Sequence, residues 1–183
     1  MLEKMGAVVI DADSVAHEVY EPGTEGFDLL VERFGGGIVS DEGAIDRRLL
    51  GGIVFGDTEA LADLNAIIHP LVRKEIARRM LEITRTRADT PVVIEAALMT
   101  ETGWTGGQGT VWAVIASPEV VADRLVDQRG MEPEDVRLRL AAQATNEQRR
   151  QFATRVIEND GSLERLEAEV ERAWAEQLAS IPS

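Results

Sequence analysis

The sequence predicts an α/β domain built on a mostly parallel sheet. Three observations lead there: strand-length apolar runs, helical-period stretches between them, and acids at the carboxyl ends of the first two runs. The first run, Gly6-Ala7-Val8-Val9-Ile10-Asp11-Ala12-Asp13, is continuously apolar until its two acids and reads as a buried strand. It comes abruptly, because an interior strand of a parallel sheet needs neighbours on both sides and a crossover to reach them.

Residues 14–87 carry a helical pattern, interrupted at Glu21-Pro22-Gly23-Thr24 and at the glycines from Gly35 to Gly43. Phe27, Leu30, Val31 and Phe34 recur at helical spacing, as do Leu61, Leu64, Ile67 and Ile68. Pro70, just before Leu71, Val72 and Ile76, predicts the first turn of a new helix. Pro91-Val92-Val93-Ile94-Glu95 is a second strand and Val111-Trp112-Ala113-Val114-Ile115-Ala116 a third. Ser117 followed by Pro118 predicts an N-cap and a helix over residues 118–128. Glu132-Pro133-Glu134 opens another helix through Leu138 and Leu140 toward Ala144. A weaker strand falls within residues 152–158 and closes on the turn Asn159-Asp160-Gly161. Ser162 then caps a last helix with Leu163, Leu166, Val170 and Trp174 along one face.

At 183 residues the chain is long enough to bury roughly 70% of its unfolded surface without a disulfide or structural metal. The absence of cysteine excludes a thiolate metal site, an iron–sulfur cluster, a thiol nucleophile and a disulfide scaffold. A net charge of −14 disfavours nucleic acid and anionic membrane surfaces. No apolar run approaches the roughly 20 residues of a membrane span. Nor does the N-terminus resemble a signal peptide, so a cytoplasmic location is expected.

Ligands of parallel α/β sheets bind at the carboxyl ends of the strands, where Asp11, Asp13 and Glu95 fall. Acids in that place serve as a general base or a magnesium ligand, or simply cap the next helix. The two histidines, His17 and His69, lie on separate helical stretches, which argues against a zinc site. Seven arginines and six acids between residues 123 and 155 give that stretch a local charge of +1 and leave −15 to the rest. Arginine forks suit phosphate oxygens, so the stretch reads as a lid over a polyphosphate or as a solvated helix laced with salt bridges. Neither Lys4 nor Lys74 follows a glycine-rich loop, so no G-x-x-x-x-G-K-[ST] phosphate loop is present, and Gly35-Gly36-Gly37 reads as a connection between helices.

Taken in order, several segments carry a resemblance. They are Val9-Ile10-Asp11-Ala12-Asp13 with Ala16-His17, Glu21-Pro22-Gly23, Arg33-Phe34-Gly35, Asp46-Arg47-Arg48-Leu49 and Ile53-Val54-Phe55. They continue with Leu64-Asn65-Ala66-Ile67-Ile68-His69-Pro70-Leu71-Val72, the segment from Glu95 to Glu101, Arg124-Leu125, Arg129, Ala141-Ala142-Gln143-Ala144, Arg149 and Val156-Ile157-Glu158-Asn159-Asp160-Gly161. Together they resemble dephospho-CoA kinase, a P-loop kinase of the nucleoside-monophosphate-kinase type, from Gly6 to about Leu178.

The resemblance implies a P-loop NTPase-like parallel sheet with helices on both faces, a helical acceptor-binding subdomain and a helical lid. In that layout one kinase-like domain spans residues 1–183, with a core of 1–23, 88–122 and 151–183, a CoA-binding subdomain of 24–87 and a lid of 123–150. It implies transfer of the γ-phosphoryl of ATP, with Mg2+, to the ribose 3′-hydroxyl of dephospho-CoA, giving CoA in the last step of coenzyme A synthesis. Asp13 matches the acid that takes the hydroxyl proton and Arg124 a catalytic arginine. His69, Glu95, Leu98 and Glu101 match acceptor-site positions, and Arg129 and Arg149 match ATP-side lid arginines.

Some residues depart from the pattern. Ala97 and Thr100 replace the usual proline and apolar residue, Gly106-Gly107-Gln108-Gly109 stands where a short apolar turn is common, and Asn146 fills a position often held by arginine. The family's first strand, P-loop and following helix have no counterpart here except Met1 to Met5, which resembles the helix's last turn. A chain without that loop and its central strand is expected to bind ATP poorly or not at all and to be less stable. The favoured explanation is a true start upstream. A noncatalytic CoA-binding or regulatory protein, and a kinase of another nucleotide, are the alternatives.

Overall fold

The computed structural model describes residues 1–97 and 109–180. Leu98, Glu101, Thr100 and Gly106-Gly107-Gln108 therefore lie outside the described residues. The chain divides into two compact units, one of Gly6–Ala96 and one of Met1–Met5 with Ala97–Ser183.

In the first unit, β1 (Val8–Asp11) leads directly into α1 (Ala12–Glu18). Then come α2 (Glu25–Phe34), α3 (Arg47–Val54), α4 (Thr58–Thr86) and β2 (Val92–Glu95). A 3-10 turn at Gly36–Ile38 and a single bridge between Val39 and Ile45 shape the link from α2 to α3. β1 and β2 pair in parallel, Val8 opposite Val92 through to Asp11 opposite Glu95, and the helices between them form the long crossover a parallel pair requires.

The helix starts follow from side chains. Thr24, Asp46 and Asp57 each accept a backbone N–H of the first turn they precede, filling donors that no helical carbonyl reaches. Gly35 ends α2 at φ 81°, a conformation that only glycine adopts at little cost. Val15, Leu30, Ile38 and Ile76 are the most deeply buried side chains of this unit. Here the expectation of a helix beginning at Pro70 is corrected: α4 runs unbroken through it for 29 residues. Pro70 lacks the N–H that a helix interior uses, and Ile68, Val72 and Ile76 bury one face on both sides of it, which offsets that cost.

The second unit holds β3 (Trp112–Ile115), α5 (Pro118–Arg129), α6 (Pro133–Ala142), α7 (Asn146–Phe152), β4 (Arg155–Glu158) and α8 (Leu163–Ala179). β3 and β4 are again parallel, Trp112 opposite Arg155 through to Ile115 opposite Glu158. The core gathers Ile157, Val170 and Ala173 with Leu2, Met5 and Trp112, so the N-terminal 3-10 turn Leu2–Met5 packs in this unit. Trp112 and Trp174 meet edge to face at 6.2 Å.

Three expectations are adjusted here. Ser117 precedes α5 but makes no side-chain cap, because its hydroxyl is used elsewhere. Leu163 is 60% exposed, so the buried face of α8 begins later, with Leu166 half-buried and Val170, Ala173 and Trp174 buried. α6 ends at Ala142, where Gln143 turns to extended backbone. Among the described residues no ladder joins β2 to β3, so the strands form two parallel pairs. No helix among the described residues is long and apolar enough to cross a membrane.

Candidate active site

The two acids after the first apolar run have different surroundings. Asp11 is the last residue of β1 and the N-cap of α1. Its carboxylate accepts the N–H groups of Asp13 at 2.9 Å and Ser14 at 3.2 Å, and the Ser14 hydroxyl at 2.7 Å. The hydroxyl and backbone N–H of Ser14, then the N–H of Asp13 and the nearby His17, hold the Asp11 carboxyl below its usual range. Asp11 thus takes the capping role.

Asp13 lies in the first turn of α1, two residues beyond the strand end, and is exposed. Among the described residues nothing bonds or ion-pairs its carboxylate. Glu95 closes β2 directly opposite Asp11 in the parallel register, so the pairing brings Asp11, Asp13 and Glu95 to one end of the strand pair.

His69 sits mid-helix on α4, immediately before Pro70, and is partly buried. Burial, with the charge of Arg73 on the next turn, lowers its pKa and favours the neutral imidazole. His17 meets Tyr20 edge to face at 6.0 Å, a packing role. Leu98 and Glu101 lie outside the described residues.

The second unit carries the arginines. Arg124 on α5 donates to the Gly161 carbonyl at 3.3 Å, and Arg149 on α7 donates to the Gln143 side chain at 3.2 Å. Arg129, in the last turn of α5, has no hydrogen bond or ion pair among the described residues. The other arginines divide: Arg137, Arg150 and Arg155 pair with Glu134, Glu158 and Glu176, and Arg139 reaches only the Met131 sulfur. The ion pairs fit the reading of a helical stretch laced with salt bridges.

Sequence reasoning missed two contacts that anchor this stretch. Asn146, in the arginine-like position, donates from Nδ2 to the Ala116 carbonyl at 2.6 Å, and Arg150 reaches Glu158 at 2.9 Å. Both tie α7 to the ends of β3 and β4. Only the distant partners, invisible from local pattern, identify them.

A family model described as dephospho-CoA kinase matches residues 1–165. The chain belongs to the dephospho-CoA kinase family. It is 47% identical to a dephospho-CoA kinase of Streptomyces avermitilis, over 96% of this chain and 84% of that one. It is 41% identical to a dephospho-CoA kinase of Symbiobacterium thermophilum, over 95% of this chain and 72% of that one. Among solved structures, TT1252 from Thermus thermophilus superposes with a TM-score of 0.74 at 35% identity, covering 96% of this chain and 87% of that one. A dephospho-CoA kinase from Campylobacter jejuni superposes with a TM-score of 0.68 over 98% of this chain and 89% of that one; at 23% identity it supports the fold alone. The family's fold is the P-loop NTPase fold, α/β with parallel strands.

The donor set can be tested against a nucleoside triphosphate with magnesium. Residues 1–183 contain no glycine-rich loop ending in Lys and Ser or Thr, and among the described residues no three His, Asp or Glu side chains converge to hold a metal. These residues do not by themselves form a cradle for that group. What this dephospho-CoA kinase family member presents is the strand-end acids Asp11, Asp13 and Glu95 and, in the second unit, Arg124, Arg129 and Arg149 outside any ion pair among the described residues.

Proposed function

We propose that this chain takes dephospho-CoA as the acceptor of a phosphoryl group at its ribose 3′-hydroxyl, with Asp13 as the base. The carrying observation is the contrast between two neighbouring carboxylates: Asp11 is filled by three donors, while Asp13 is exposed and without a partner. A base must be able to accept a hydrogen bond from the group it deprotonates, and Asp13, unlike its neighbour Asp11, has both carboxylate oxygens free for it. Glu95, Leu98, Glu101 and His69 hold the acceptor, His69 as a neutral imidazole that both donates and accepts.

The phosphoryl donor of such a reaction is ATP with Mg2+, for which residues 1–183 alone form no cradle; in this reading residues 24–87 form the acceptor subdomain and residues 123–150 the lid. Arg124, Arg129 and Arg149 place cationic forks toward phosphate oxygens.

Titration calorimetry of the 183-residue chain with dephospho-CoA tests the reading. Saturable binding is expected, weakened in His69→Ala and largely retained in Asp13→Asn. A folded chain that shows no binding overturns it. With ATP and magnesium the same chain is expected to show no turnover, since its residues form no triphosphate cradle. Robust CoA formation overturns that part. Binding without turnover, if it persists when a phosphate-loop segment is fused ahead of Met1, favours a noncatalytic CoA-binding protein.

A further inference from the structure

Helix α1, which carries Asp13, meets α4 through two kinds of surface. Ile68, Val72 and Ile76 form the buried face of α4. A cavity of about 490 Å3 lies along β1, the start of α1 and the C-terminal part of α4, lined by Val9, Asp11 and Ser14, by Arg79 and Ile83 of α4 and by Arg87 just after it. Along this stretch a charged contact holds the helices together. Arg79 donates from Nη2 to Glu18, the last residue of α1, and from Nε to Glu75 at 2.8 Å.

Glu75 is itself gripped by Arg78 through two bonds of 2.8 Å, and these with the Arg79 bond pull its carboxyl down to about 2. It therefore stays ionised and orients the guanidinium, whose other arm is left for Glu18. A planar fork can serve two carboxylates in fixed directions; an ammonium cannot. Both Arg79 and Glu18 are partly solvent-exposed, 30% and 43%, so the contact contributes little to stability and its effect is on geometry. Because α1 is only about 10 Å long and already fixed at its start by the Asp11 cap, holding Glu18 determines where the first turn points.

We propose that the Glu18–Arg79–Glu75 contact is a positioning device that sets Asp13 against the ribose 3′ position and so makes the site select a 3′-hydroxyl over a 3′-phosphate. The inference rests on Asp13 being the residue that meets the acceptor hydroxyl. A hydroxyl donates to that carboxylate, whereas a 3′-phosphate meets like charge from Asp13 and, at the same strand ends, from Asp11 and Glu95. Loosening α1 lets Asp13 swing away and relieves the repulsion.

The test is a pair of dissociation constants, for dephospho-CoA and for CoA, measured on the 183-residue chain and its variants, each with a thermal melt. The wild type is expected to prefer dephospho-CoA by at least about tenfold, and Asp13→Asn to bring the two within about threefold. Glu18→Gln, Arg79→Ala and Arg79→Lys should each relax the preference similarly with melting temperatures close to wild type. The double variant Glu18→Gln/Arg79→Ala should add nothing further, as expected for two ends of one contact. A merely structural contact would weaken both ligands alike and leave their ratio unchanged, and that result overturns the proposal. If Asp13→Asn relaxes the ratio but Glu18→Gln and Arg79→Lys keep it, the positioning role falls while the acceptor reading stands. If the folded wild type binds neither ligand, both fall. Should Arg79→Ala fail to fold, Arg79→Lys and Glu18→Gln carry the same comparison.

Discussion

The Asp160 carboxylate accepts both the backbone N–H and the hydroxyl of Ser117, at 2.6 Å and 2.9 Å. It joins the turn after β4 to the start of α5. The next residue, Gly161, offers its carbonyl to Arg124, so one short turn fixes both the start of α5 and an arginine on it. This arrangement explains why Ser117 does not cap α5 in the way its place before Pro118 suggests: its hydroxyl donates outward to a carboxylate instead of accepting from the helix.

Asp160 should therefore contribute to acid sensitivity. The two Ser117 bonds, and then the positive field of Arg124 and Arg165, lower its pKa from 3.8. A carboxylate with a lower pKa in the folded than in the unfolded state stabilises fully above the unfolded value and loses that contribution as pH falls through the folded one. Urea midpoints measured from pH 5 downward should fall below about pH 3.8 in the wild type. Asp160→Asn should show a shallower fall. An identical slope in the variant would remove Asp160 as a source.

The strands were legible because parallel strands are covered on both faces and read as unbroken apolar runs, as Val8-Val9-Ile10 and Val92-Val93-Ile94 do. Pro70 was misread because a proline opening a helix and one tolerated inside it look alike in sequence. What separates them is the buried face carried across it by Ile68, Val72 and Ile76, which belongs to tertiary packing. Asp11 and Asp13 were visible as a pair, but which of them caps α1 depends on backbone direction at the start of that helix. Glu18 and Arg79 are 61 residues apart, and nothing local to either announces the other. The arginine-rich stretch was legible as charge only, since the acids that pair with Arg150 and Arg155 come from β4 and α8.

Gly26 stands where α2 passes closest to its neighbours. A Cβ there would collide with the Val19 carbonyl oxygen and lie 3.0 Å from Leu71 Cδ1 on α4. The carbonyl cannot retreat freely, because it also accepts the Thr24 hydroxyl at 2.9 Å. Gly26→Ala should destabilise by about 1–3 kcal/mol through overpacking, despite the better helix propensity of alanine. Chemical denaturation measures this, and a neutral or stabilising effect would show that α2 shifts without cost.

Leu30 and Phe55 give opposite expectations for apolar truncation. Leu30 is fully buried in the first unit, whereas Phe55, just past α3, is 89% exposed. Leu30→Ala removes buried methyl groups and leaves a cavity, an expected loss of about 2–5 kcal/mol. Phe55→Ala removes no buried surface of note and should stay within about 0.5 kcal/mol. Denaturant midpoints for the two variants decide it. A large loss at Phe55 would show that the ring is covered in solution.

In the proposed reading His69 joins stability to acceptor binding. Burial first, and Arg73 second, bring its folded pKa below the 6.5 of an unperturbed imidazole. The neutral form is thus favoured by folding. Its contribution is fully present above about pH 6.5 and is lost as pH falls through the lower, folded value. Proton NMR titration of the ring should place the midpoint below 6.5, and Arg73→Gln should raise it by removing the nearby positive charge. A midpoint at or above 6.5 would contradict the burial seen at this position. Because the ring is then neutral throughout the range from about pH 7 to 8, dephospho-CoA affinity should show no His69-dependent change there. His69→Gln, which keeps a donor and an acceptor on a different frame, should weaken binding less than His69→Ala, whose loss is expected at about tenfold, the scale of one lost hydrogen bond.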